Sequence, residues 1–151
     1  MSLFGKLDAE TIKSNPFFIE KGEYEAEVTD AKYKAGRDGG RQLVIDFVIE
    51  DETSQYDGKR ASKFFDLVDS EMTFEAFALL PPEEKATISR NLSSTKNMLC
   101  GNGRNKGLGV AADDLNDKDW DPAVLKGVKV IMSISNFGDD GVNVRWANLR
   151  D

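Results

Sequence analysis

Histidine is absent from this 151-residue chain, and cysteine occurs once, as Cys100. The first absence removes His-based triads, imidazole acid–base catalysis and imidazole metal ligands. The second rules out an internal disulfide and points to a reducing compartment. Together they exclude zinc sites built from thiolate and imidazole. No apolar run approaches the ~20 residues that a membrane-spanning helix requires. The opening MSLFGKLDAETIKSNPFF has neither the apolar stretch nor the small-residue cleavage site of a secretory signal, so a cytoplasmic protein is expected. Positive charge is also in short supply. Lys and Arg total 20 against 27 Asp and Glu, for a net charge of −7. That balance counts against a uniformly basic nucleic-acid binder but leaves room for a local basic groove.

What the chain does have is strand grammar. Residues 1–20 read as an N-terminal arm, in which LDAETIK forms a short helix stopped at Asn15-Pro16, and Phe17, Phe18 and Ile19 dock on the body. In GEYEAEVTDAKYK, Tyr24, Ala26 and Val28 alternate with Glu23, Glu25 and Glu27, the period of a half-buried strand. AGRDGG is a turn, RQLVIDFVIED a second strand with Leu43, Ile45, Phe47 and Ile49 on its apolar face, and ASKFFDLV a third. The period then becomes helical. Pro82 opens PEEKATISRNLSSTKNMLCG, with Glu83 and Glu84 near its positive end and Gly101 past its last turn. A long polar connection follows, and VKVIMSISNF, GDDG and VNVRWANLR make a closing hairpin. The expected fold is mostly β with a helical insertion. Three strands, a helical segment and two strands match the order of the OB-fold, a five-stranded Greek-key barrel with its helix between strands 3 and 4. The domain runs over 21–151, with the helical insertion and polar loop at about 70–124. An open β-sandwich with a helical insertion is the alternative.

Several motifs invite chemistry. GNGRNKGLG lacks the spacing of a phosphate-binding loop and follows a helix rather than a strand, so it reads as a flexible helix exit. Asp117, Asp119 and Asp121 lack the glycine and glutamate that an EF-hand loop needs, and read as a solvated acidic turn. Cys100 has no histidine to activate it and reads as a structural thiol. No catalytic residue, metal ligand or cofactor is therefore expected.

The first hairpin is the informative stretch. Lys32, Lys34, Arg37 and Arg41 gather around a Gly-rich turn with Tyr33 between the lysines. Single-strand binders combine a positive groove with aromatic faces on which bases stack. Lys63 beside Phe65, and Arg145 beside Trp146, repeat that pairing. Strict alternation sets Trp146 with Val142 and Val144, in the core. It sets Tyr33 with the glutamates, unless a bulge intervenes between Glu27 and Tyr33.

The segments IEKGEYEAEVTDAKYKAGRDGGRQLVIDFVIEDE, DGKRASKFFDL and LKGVKVIMSISNFGDDGVNVRWANL resemble small bacteriophage single-stranded-DNA-binding proteins over most of residues 19–69 and 125–149. The resemblance implies an OB-fold, sequence-tolerant binding of single-stranded DNA during phage replication or recombination, no catalysis, and the host cytoplasm as the location. Carried over to this chain, it implies contacts from Lys32, Tyr33, Lys34, Arg37 and Arg41, then Lys63, Phe65 and Arg145. Phage replication or recombination proteins are the implied partners, with the acidic loop from Asp113 to Asp121 in the place of a recruiting tail. A protein-interaction or assembly module on the same scaffold is the competing expectation, favoured by the negative charge and the glutamate-lined strand.

Overall fold

The computed structural model describes residues 17–35, 41–67, 74–102, 105–115 and 120–150. Five antiparallel strands form one sheet: β1 Gly22–Ala35, β2 Arg41–Ile49, β3 Arg60–Leu67, β4 Lys129–Phe137 and β5 Gly141–Leu149. Between β3 and β4 lie α1 Phe74–Ala78, α2 Pro82–Cys100, the short α3 Ala112–Leu115 and a 3-10 turn at Pro122–Leu125. The strand order is β3-β2-β1-β4-β5. The expected meander, helical insertion and closing hairpin are therefore present. The expected closure is not: β3 and β5 are the outer strands, no ladder joins them among the described residues, and the sheet is open rather than a barrel.

The reason β1 can serve both halves is its length. Residues 22–27 pair with β4 and residues 26–35 with β2. The alternating apolar positions Tyr24, Ala26 and Val28 face Leu43, Ile45, Phe47 and Ile49 of β2 and Val130, Met132 and Ile134 of β4 in a single core. Burial of each large aliphatic or aromatic side chain there contributes about 1.5–3 kcal/mol. The start of the domain is held by Ile19, fully buried, and by Asn136, whose amide donates to the Ile19 carbonyl at 2.8 Å. Phe17, expected to dock as well, is 71% exposed, and the rest of the expected arm, 1–16, lies outside the described residues.

Two bulges bend the sheet. Thr29 is skipped where Val28 pairs with Phe47 and Asp30 with Asp46. Arg145 is skipped where Ser133 pairs with Trp146 and Ile134 with Val144. A bulge adds one residue, increases local twist and switches the face of everything beyond it. The edges of the bent sheet approach without pairing: Lys63 Nζ on β3 donates to Asn143 Oδ1 on β5 at 3.3 Å, and α2 packs against both edge strands.

The segment after α2 is more ordered than a flexible exit. Leu108 N donates to the Met98 and Leu99 carbonyls, Val110 N to Leu99, and Leu149 N to Gly107, all at 2.9–3.0 Å. Gly107 N donates to Asn148 Oδ1 at 2.9 Å, so the loop is fastened to both α2 and β5. Gly101 and Gly107 both have positive φ, and a Cβ on either would collide with the backbone of the other end of the loop.

Candidate nucleic-acid interface

The open seam between β3 and β5 is a cleft of about 440 Å³, with α2 as its third wall. Its β3 wall carries Lys63, Phe64, Phe65 and Asp66, and its β5 wall Arg145, Trp146 and Asn148. Three expected site residues from two distant strands, Lys63 and Phe65 on β3 and Arg145 on β5, thus meet at one place.

One of the three, Phe65, does not take the exposed place expected of it. Phe65 is 6% exposed and belongs to the core, whereas its neighbour Phe64 is 50% exposed. Adjacent strand residues point to opposite faces, and Phe65 takes the inner one with Leu43 as its partner. Phe64 is therefore the ring available for stacking. Lys63 shares the inner parity and is half-buried, with its ammonium 5.7 Å from the Phe65 ring centroid. Burial pushes its pKa below the ordinary lysine value. Among the described residues no carboxylate pairs with this cation.

Arg145 sits exposed at the bulge. Because the bulge reverses parity, Ala147 turns inward opposite Met132 while Trp146 turns out of the core into the cleft. The expectation of a core Trp146 is corrected by that one extra residue.

The first hairpin divides. Arg37 lies outside the described residues. The bulge at Thr29 carries Tyr33 off the glutamate face onto the core side, where it packs half-buried. Arg41 lies over its ring at 4.3 Å and does not line the cleft. Burial raises the Tyr33 phenol pKa, and the Arg41 charge opposes that rise. Tyr33 and Arg41 are thus engaged with each other rather than held at the seam. Lys32 lies 3.6 Å from Asp30. Lys34 extends over Phe64, a residue of the cleft wall, with its ammonium 5.2 Å from the ring centroid.

The acids of β1 do not fill this site. Lys129 hydrogen-bonds both oxygens of Glu50, at 2.7 and 2.9 Å, and lies 3.2 Å from Glu27. The bond holds the Glu50 carboxyl below its ordinary pKa and Lys129 above its own. Arg150 lies 3.5 Å from Glu25. Asp66 at the cleft wall accepts from Gln42 Nε2 at 3.0 Å.

The other motifs are quiet. Asp121 caps the 3-10 turn by accepting from Ala123 N at 2.9 Å, while Asp117 and Asp119 lie outside the described residues. Burial raises the Cys100 thiol pKa, which lowers its thiolate fraction. No helix among the described residues is long and apolar enough to cross a membrane. Comparison with known proteins adds no family: no family model matches the chain, and no curated protein matches it significantly.

Proposed function

We propose that the protein is a noncatalytic single-stranded-DNA-binding protein of OB type, opened at the β3–β5 seam, and that the strand lies in this cleft. The observation that carries the reading is the meeting of Lys63 and Arg145 with Phe64 and Trp146 across the seam. Strand order supports the OB assignment, since joining β3 to β5 would close the ring. Lys34, Lys63 and Arg145 neutralise phosphates, and Phe64 and Trp146 stack bases at about 1–3 kcal/mol each. The sequence resemblance to phage single-strand binders agrees with this, and it extends the proposal to a role in phage replication or recombination, with replication proteins as partners.

Trp146 is the natural reporter. In a Trp120→Phe background, oligo-dT at low salt quenches Trp146 fluorescence, and Arg145→Glu abolishes the change while the far-UV spectrum is kept. Unchanged Trp146 emission at micromolar protein and excess oligonucleotide refutes the proposal. A second reading, a protein-interaction module, draws on Leu79, which is 87% exposed, and on Leu92, exposed on α2. A gel shift with oligo-dT at low and moderate salt separates the two, since the interaction module gives no shift.

A further inference from the structure

The α2 wall of the cleft is made of amides. Asn91, Ser94 and Asn97 recur at a spacing of three along the helix, and Asn102, Asn105 and Asn148 continue the lining. Two of these amides are structural: Asn148 Oδ1 accepts from Gly107 N, and Asn102 Oδ1 accepts from Asn105 N at 3.0 Å. The side-chain amides of Asn91 and Asn97 make no hydrogen bond among the described residues. Asparagine is a weak helix former, so two of them on the cleft face of α2 are not explained by helix stability.

Neutral amides are poor instruments for gripping a phosphate backbone, whose affinity comes from cations. They are good instruments for reading a base. Each offers a donor and an acceptor side by side, which matches the adjacent donor and acceptor on a nucleobase edge. Single-stranded bases are recognised when a ring stacks on an aromatic side chain while its edge meets such groups. The cleft has that arrangement, with Phe64 and Trp146 on the strand walls, Asn91 and Asn97 on the helix wall, and room for a nucleotide between them.

We infer that the cleft takes one unpaired base with its edge hydrogen-bonded by Asn91 and Asn97, so that the protein is base-selective at one position. This rests on the nucleic-acid reading above, and it departs from the sequence-tolerant binding that the resemblance implies.

The test is fluorescence anisotropy of labelled dA, dC and dT decamers, and of a decamer of abasic sites, against the wild-type chain and Asn91→Ala/Asn97→Ala. Alanine favours the helix, so the variant is expected to fold, and thermal melting checks it. The single Asn97→Ala change, at an exposed position, serves if the pair does not fold. Wild type should separate its best and worst homopolymers by roughly tenfold or more and bind the abasic decamer weakest. The double variant should compress that spread while keeping its salt dependence. Equal affinity for all four decamers overturns the inference and leaves DNA binding intact, as does a spread that survives the double change. Absence of binding to every decamer overturns the inference and the DNA reading together.

Discussion

The half-buried ammonium of Lys63 has no carboxylate partner among the described residues. A lysine whose folded pKa lies below its unfolded value costs stability while protonated, and that cost is relieved as pH rises from the folded to the unfolded pKa. Lys63→Met is therefore expected to match or exceed the wild type in melting temperature near neutral pH, while binding oligo-dT more weakly. A bound phosphate favours the charged form, so affinity should fall as pH rises through the depressed pKa of free Lys63. Lys63→Arg, which stays charged, should remove that fall. Titrations at several alkaline pH values decide it; a fall of the same size in the arginine variant shows that Lys63 does not meet the phosphate. The neighbouring phenylalanines give a second contrast. Phe65→Ala empties a core position and should cost about 3–5 kcal/mol in urea unfolding. Phe64→Ala should leave stability within about 0.5 kcal/mol and weaken DNA binding instead. The sequence shows that only one of these rings can be exposed. It does not show which, because adjacent residues alternate and either register satisfies the pattern.

The elements themselves were legible: each of the five strands and the long helix stands where periodicity and turn residues put it. What alternation misplaced lies beyond the two bulges. Their signal was present as spacing. Val28 and Ala31 are separated by two polar residues, and Val144 and Ala147 by Arg145 and Trp146, where strict alternation would allow one. Reading those gaps as bulges moves Tyr33 inward and Trp146 outward without any coordinates. Barrel closure was not legible, because pairing between β3 and β5 depends on curvature that no local pattern encodes. The order of the GNGRNKGLG loop was hidden for a similar reason, since the bonds that fasten it to the body run to Met98, Leu99 and Asn148. Gly101 and Gly107 are nonetheless structural. Gly101→Ala places a Cβ against the Asn105 carbonyl oxygen at a positive φ, and is expected to destabilise the chain by more than about 1 kcal/mol. Gly58 also has positive φ but has open space around it, so Gly58→Ala should cost less. Urea midpoints for the two variants test this; equal losses mean that the loop does not hold its close approach.

At the scale of the whole molecule, charge is sorted rather than balanced. Glu27 and Glu25 on the first half of β1 are engaged by Lys129 and Arg150, while Lys63 and Arg145 line the seam and Lys34 lies over Phe64 beside it. In the proposed DNA-binding role, the net charge of −7 opposes association at long range and the cations of the cleft favour it at contact. The two contributions respond to salt in opposite directions. Neutralising three phosphates of a single strand gives a slope of about −2 in log affinity against log salt, from about −0.7 per contact. Added salt also screens the acidic surface, so the measured slope should be shallower than that value. Arg145→Ala removes one contact and should flatten the slope by roughly 0.7 further, with a weaker affinity at every salt concentration. Lys129→Ala, which leaves Glu27 and Glu50 uncompensated, should act through the long-range field instead, weakening binding at low salt and converging on the wild type as salt rises. If Arg145→Ala keeps the wild-type slope, the guanidinium does not touch the strand, and the path through the β3–β5 seam is lost with it.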